Sequence, residues 1–572
     1  MNYKITQKFI FILGLLCALF FAGGTKAILL NDSIILNVDK GHDATARPQI
    51  TAKLIKITPK LFFYVERSWW DQQVEAKQKE VLFNLEKLSL EFENKIYPNL
   101  TSIFGQEQRP GIDGDERITL LFHQMIRDSG GYFRSADEYI KAQVTDSNEK
   151  EMLYLPIEQI DSNQLKVFLA HELMHLITFA QKENIFGVQE DVWLNEARAE
   201  YVATIFGYDE NYEGSNLQRR TRAFLEKPSD SLIEWQDKKY DYAIANLFIN
   251  YLVDHYGIDI LVNSLKSKYV GIESINHALQ KAGIKEDFSQ IFINWTITVI
   301  INDCTKNKNY CYLNKNLINL RISPVINFLP LSGNSSLSVT NLAKNFSSSW
   351  KKIIGGTGDL KLNFESLAGL NFKIPYVVYN KEGDFYVKFI DLDSNQKGSI
   401  SIPNFGENIA SLIIIPSLVS EITSVNSFES TYPYTFKVST TSEEVILSED
   451  LVLIQKLLEK IDYLKKEIAR ILAERGMGPI IQNLACSQII EDLYVGKTGD
   501  QVRCLQGFLK NQGSEIYPEA LITGNFGNLT KQAVIKFQEK YASEILTPLG
   551  LSNGTGYVGL NTRLKINQLL GK

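Results

Sequence analysis

The sequence predicts an α+β chain of several domains. Three observations carry this. An apolar segment with helical spacing surrounds Phe168–His175. Alternating apolar runs broken by Gly, Asn, Ser and Pro fill 325–440. Helical patterning then returns toward the C-terminus. A length of 572 residues allows roughly three or four domains. A hydrophobic content of 44% and a charged content of 22% supply ordinary globular cores. The net charge of −6 comes with no long basic tract, so the composition argues against a nucleic-acid partner.

Residues 1–27 read as a secretory signal peptide. Lys4 and Lys8 open it, Phe9 to Phe21 is apolar, and Ala22-Gly23-Gly24 or Thr25-Lys26-Ala27 offers a cleavage site. An uncleaved anchor is the alternative. Cys17 lacks the small residue expected before a lipidated cysteine. No other segment is long and apolar enough to span a bilayer, so no membrane partner is expected after signal cleavage.

Residues 28–324 form the next predicted domain. Lys79 to Tyr97 has helical periodicity, and Arg117–Phe122 reads as a buried strand. Between them, Gly111-Ile-Asp-Gly-Asp115 makes Asp113 and Asp115 candidate calcium ligands, because hard oxygens cluster in such loops. The full calcium-loop pattern is absent, and Asp113-Gly114 is also an ordinary tight-turn signal. Glu151–Pro156 reads as a short strand. A helix is then expected from about Asp161-Ser162, good N-cap types, to about Asn184.

That helix carries His171-Glu172-Leu173-Met174-His175. On a helix the two histidines lie one turn apart on one face, where both rings can address one metal ion. Glu172 sits about 100° further round, within reach of a water on that metal. Zinc is the metal most at home with two imidazoles and an open position. It would lower the pKa of such a water to about 7. The chain has only six histidines, which makes the pattern specific. A third ligand is required, and Trp193-Leu-Asn-Glu-Ala-Arg-Ala-Glu-Tyr201 reads as a second helix ending near Gly207. Glu196 is the natural third ligand. Glu200, one turn on, is placed to accept the free ring N–H of a ligating histidine, His171 by preference.

At these residues the chain resembles the gluzincin metallopeptidases, and more closely the hyicolysin family. The resemblance covers roughly 50–320 and includes Gly111–Asp115 and Gly131-Tyr-Phe133. It implies a thermolysin-like catalytic region and a zinc metalloendopeptidase acting on protein or peptide substrates. It also implies that Glu151–Pro156 is an edge strand on which a substrate backbone pairs. Gluzincins of the aminopeptidase type supply an oxyanion donor from a tyrosine at the start of a later helix. Tyr240 matches that place best and Tyr242 is the alternative. His255 and His277 are weaker candidates for the role.

Residues 325–442 are expected to form a β-sandwich, with strands around Leu360–Phe364, Phe385–Phe389 and Ala410–Ile415. Residues 443–479 read as a spacer helix. Ile454, Leu457, Ile461, Leu464, Ile468 and Ile471 fall on a and d positions, which makes homo-oligomerisation through a short coiled coil an alternative. The final segment, 480–572, resembles the three-helix peptidoglycan-binding domain through Leu493–Gln506 and Gly524–Gln538. That resemblance implies peptidoglycan as a partner. Four cysteines remain after signal removal as two local pairs, Cys304 with Cys311 and Cys486 with Cys504. They are candidate disulfides in an oxidising compartment, with free thiols as the alternative.

The expected protein is a secreted, cell wall-associated or periplasmic zinc endopeptidase tethered by its C-terminal domain. One rival is a peptidoglycan peptide hydrolase. Another is a non-enzymatic wall-binding protein with a relic metal site.

Overall fold

The computed structural model describes residues 29–127, 130–330, 334–420, 431–441 and, with short breaks, 488–570. The signal segment 1–27, the heptad-bearing stretch 443–479 and Cys486 lie outside the described residues. Two compact units divide the chain, the first ending at Val445. Among the described residues, no helix is long and apolar enough to cross a membrane.

The first unit opens with a six-stranded sheet: β1 (Ser33–Asn37), β2 (Gln49–Ile57), β3 (Leu61–Glu66), β4 (Ile118–His123), β5 (Tyr132–Phe133) and β6 (Met152–Pro156). Their spatial order is β1-β2-β3-β4-β6-β5. β3, β4 and β6 run parallel, and β5 pairs antiparallel with β6 through Tyr132 opposite Tyr154. These central strands read as continuous apolar runs because both faces are covered. Phe63, Val65, Leu120, Phe122, Leu153 and Leu155 face the helices. Phe62, Tyr64, Leu121, Met152 and Tyr154 face a second core under β1 and β2.

One expectation changes here. β6 is not an edge: β4 covers one side and β5 caps Leu153 and Tyr154 on the other. The outer strand is β5. With two residues it is too short for its alternation to register in sequence.

The helices that matter are α1 (Glu75–Glu91), α2 (Leu165–Phe179), α3 (Val192–Ile205), α4 (Asn216–Glu226), α5 (Lys239–Tyr256) and α6 (Phe288–Ile301). α2 starts after the expected cap because Asp161 is taken by Lys77 and Asn84 of α1. Ser162 Oγ instead accepts the Gln164 N–H at 3.1 Å. A π-helical turn, Ala180–Asn184, extends α2 to the predicted end.

The loop Gly111–Asp115 is a turn. Gly114 sits at φ +77°, and the Gly114 N–H donates to the Gly111 carbonyl at 2.8 Å. Asp113 Oδ2 pairs with Lys150 Nζ at 2.6 Å. Asp115 receives Arg117 Nε at 2.8 Å and Nη2 at 2.7 Å. Both carboxylates are neutralised by neighbouring cations, which argues against the calcium role expected of Asp113 and Asp115.

Residues 325–441 build a nine-stranded sheet, sandwich- or barrel-like, with a small three-stranded sheet beside it. Its strands include Gly358–Ser366, Phe385–Phe389 and Ile409–Ile414, close to the predicted runs. The two-residue period sorts its side chains. Tyr376, Val378, Leu412 and Ile414 fill the sheet's own core. Val377 and Ile413 point the other way and join the core of the helices. Trp350, carried into the same core, donates its Nε1–H to the Thr296 carbonyl of α6 at 2.9 Å. The sheet is therefore built onto the helical region. Cys304 and Cys311 form a disulfide nearby.

The second unit, described by itself, is helical: Asp500–Asn511, Asn528–Lys540 and Leu560–Leu569, with a short turn at Ala542–Ile545. Val502, Leu505, Leu509, Val534, Phe537 and Ile566 share its core. Cys504 is disulfide-bonded.

Candidate metal centre

Leu169, Ala170 and Leu173 of α2 and Leu194 and Ala197 of α3 are buried in one core. With those faces anchored, His171 and His175 of α2 meet Glu196 of α3. His171 Nε2 and His175 Nε2 lie 3.1 Å apart. Glu196 Oε2 is 3.3 Å from the first, and Glu196 Oε1 is 3.5 Å from the second. Among the described residues these three form the one histidine–carboxylate group whose ligand atoms all fall within 4.8 Å of one another.

The donors fit a divalent metal. Glu196 Oε2 is buried with no hydrogen-bond partner. Two imidazole nitrogens facing each other at 3.1 Å have no donor between them unless one of the two carries a proton. A tetrahedral zinc would be held by His171, His175 and Glu196, with one position left open.

Outer partners hold the rings. His175 Nδ1 is 3.1 Å from Asn195 Oδ1, so a proton on Nδ1 leaves the Nε2 lone pair facing the centre. His171 Nδ1 is 3.8 Å from Glu200 Oε1. Glu200 is itself clamped. Glu200 Oε2 accepts from Arg220 Nε of α4 at 2.8 Å, from Asn216 Nδ2 at 2.9 Å and from Asn246 Nδ2 of α5 at 3.3 Å. Asn195 stands beside the ligand in sequence, yet its role was not anticipated. It becomes visible only when the phase of α3 against α2 is fixed.

Charge follows the geometry. Burial alone would raise Glu196, but the charge of His175 and the closeness of both imidazoles hold its carboxyl far below the usual range. Burial alone would lower His175, but Glu196 outweighs it and lifts the imidazole to about 9. Without a cation, then, the cluster retains a proton that a metal must displace. Glu172 is buried, and that burial pushes its carboxyl up against the pull of the two histidines. A Cβ on Gly131 would come within 3.2 Å of Glu172 Oε1 and 2.8 Å of the Tyr154 carbonyl, and one on Gly130 within 3.1 Å of Phe168. The paired glycines let the chain entering β5 run directly over α2 at the glutamate.

The tyrosines separate. The Tyr240 hydroxyl donates to Glu226 at 3.3 Å, and Lys227 and Lys239 lie against its ring. Tyr242 carries the Arg220 guanidinium over its ring at 4.6 Å and donates to Asp237 at 2.7 Å. That guanidinium also holds Glu200, which links Tyr242 to the cluster, and burial first, then the charge of Glu196, raises the Tyr242 hydroxyl strongly. His255 Nε2 is 2.8 Å from the Cys311 carbonyl, and the His277 ring lies tilted against Tyr269. Both have packing roles outside the cluster.

Residues 498–545 match the family model described as a putative peptidoglycan binding domain, so the C-terminal unit carries such a domain. No curated protein matches the chain. Solved structures with similar parts include the pre-peptidase C-terminal domain of a collagenase from Bacillus anthracis, at 6% identity and TM-score 0.15, covering 20% of this chain and 96% of that one. Another is PliG from Aeromonas hydrophila, a periplasmic inhibitor of g-type lysozyme, at 10% identity and TM-score 0.14, covering 20% and 98%.

Proposed function

We propose that the chain is a zinc-dependent endopeptidase held at the cell wall by its C-terminal domain. The observation that carries this is the convergence of His171, His175 and Glu196 beside a buried, unpaired-by-cation Glu172. The resemblance of the same residues to gluzincins supports it. Zinc, when bound, supplies a Lewis acid and makes water acidic enough to ionise near neutral pH.

The chain's own residues do the rest. Glu172 takes a proton from the attacking water and passes it to the leaving amine, a role its raised carboxyl suits. Outer strand β5, antiparallel to β6, offers backbone groups to an extended peptide next to Glu172. Tyr242, whose ring lies under Arg220, is the oxyanion donor in this reading, and Tyr240 is the alternative. In Glu172→Gln, zinc content should stay at the wild-type level while turnover falls by ~10²–10⁴. Wild-type proteolysis by that variant would remove Glu172 from the mechanism.

The peptidoglycan-binding domain favours one further reading, hydrolysis of wall peptides by the same site. Casein digestion against dye release from purified sacculi separates the two. A chain ending near Arg475 should digest soluble protein at close to the full rate and no longer sediment with peptidoglycan. Undiminished sedimentation would move wall binding into the first unit.

A further inference from the structure

One strip of the second unit's surface is aromatic. Leu493 and Val558 pair in an isolated antiparallel bridge, with N–H to carbonyl bonds in both directions at 2.9 and 3.3 Å. Both side chains are fully buried. Their chain neighbours point the other way, as alternation requires. Tyr494 and Tyr557 are 46% and 43% exposed. Among the described residues of this unit they are the large exposed aromatic side chains, and the other exposed apolar residues are aliphatic. Their rings are near-parallel, 14° apart, with centres 5.8 Å from each other, an offset pair rather than a closed sandwich.

The pair is fixed by its surroundings. The Tyr557 carbonyl accepts the Nε2–H of buried Gln538 at 2.7 Å, and the Tyr557 N–H donates to Thr555 Oγ1 at 3.1 Å. Its hydroxyl donates to Asp492 Oδ2 at 2.7 Å. Asp492 Oδ1 lies 2.9 Å from Arg563 Nη2, and Arg563 Nη1 donates to the Ile490 carbonyl at 3.3 Å. Lys497 Nζ is 5.7 Å from the centre of the Tyr494 ring. The strip therefore sets two half-exposed rings inside a rim that carries both signs of charge. Rings held in this way lose little freedom when something docks on them.

A sugar has an apolar face of C–H bonds and an edge of hydroxyl and amide groups. It is matched by flat apolar side chains with a few polar groups beside them. Residues 498–545 match a peptidoglycan-binding domain, which makes the glycan strand of the wall the occupant with this chemistry. Tyr494 and Tyr557 fall on either side of the matched residues, so the strip is supplied by the flanking segments of this chain. We propose that Tyr494 and Tyr557 stack on a sugar of the peptidoglycan glycan strand, with Asp492, Arg563 and Lys497 beside its polar substituents. This rests on the wall-binding reading of the second unit and is independent of the metal centre.

The test is sedimentation of the full chain over a range of concentrations of purified sacculi, with circular dichroism and melting temperature followed for each variant. Tyr494→Ala and Tyr557→Ala should each weaken binding about tenfold, the scale of one anchoring ring, and the double variant should fall to background. Tyr557→Phe keeps the ring and drops the bond to Asp492, and should stay within about threefold of wild type. Tyr494→Trp should bind at least as tightly as wild type, and a loss of binding in that variant would count against stacking even where an alanine variant melts early. Leu529→Ala, an exposed aliphatic on the helix Asn528–Lys540, should sediment as wild type. Soluble glycan strands stripped of stem peptides should compete with sacculi, and free stem peptides should not. A wild-type chain that does not sediment would remove the wall-binding reading and this surface with it. Wild-type sedimentation with an undiminished double variant would overturn the surface alone. A Tyr557→Phe variant as weak as Tyr557→Ala would give the contact to the hydroxyl instead of the ring, and competition by stem peptides instead of glycan would overturn the sugar assignment.

Discussion

Two sets of buried charge in the first unit are held in different ways. At the histidine cluster most groups have an outer support, although Glu196 Oε2 has no hydrogen-bond partner. Asn195 holds His175, Glu200 lies beside His171, and Arg220, Asn216 and Asn246 hold Glu200. Around Glu107, Glu138 and Glu151, all buried and carried by separate segments, neighbouring cations pair with other acids, and one oxygen of each glutamate has no hydrogen-bond partner. Chemistry at a metal needs ligands fixed before the metal arrives, and a surrounding frame of hydrogen bonds does that. Without comparable support, Glu138 and Glu151 carry carboxyls that burial raises.

Glu196→Ala sharpens the contrast most. It should abolish both zinc binding and activity, read by metal analysis and a peptide assay, while the far-UV circular dichroism stays that of wild type. Full zinc content in this variant would remove Glu196 from the ligand set. Next in size is Tyr242→Phe, with turnover expected to fall by ~10²–10³ and zinc content unchanged. Tyr240→Phe should change turnover little, and the reverse ranking would return the oxyanion role to Tyr240. The smallest effect is expected from Arg220→Ala. It frees Glu200 from its cation without touching a ligand and should weaken zinc by ~10–100-fold, measured against a chelating dye. Unchanged affinity there would mean that Asn216 and Asn246 alone keep Glu200 in place.

What could be read from the sequence follows from how local each signal is. The residues of the histidine cluster were legible because two of them repeat at one helical turn and the third sits in a recognisable second helix. The strands at Leu360–Phe364 and Phe385–Phe389 were legible because alternation is a short-range pattern. Tyr240 and Tyr242 were not separable. Two positions on a helix point about 200° apart, and only the packing of α5 says which faces α3. Asp113 and Asp115 looked like ligands because their partners, Lys150 and Arg117, are assigned by folding. Glu107, Glu138 and Glu151 have no common spacing at all, so nothing in the chain announces them together. The attachment of the sheet to the helices was hidden for a similar reason. Val377 and Ile413 are ordinary strand residues until the partner surface is known.

That attachment bears on survival among proteases. Where a catalytic region and an accessory sheet are joined by a bare tether, the tether is the place a protease cuts, because cleavage needs several residues drawn out straight. Here the joining stretch is held along its length. Asn302 Nδ2 donates to the Leu317 and Leu320 carbonyls, Arg321 holds the Ile301 and Asn302 carbonyls, and Val325 already pairs beside Lys351. A protease would have to unravel core contacts before it found a segment to bite. The sheet is thereby hard to clip away from the helical region.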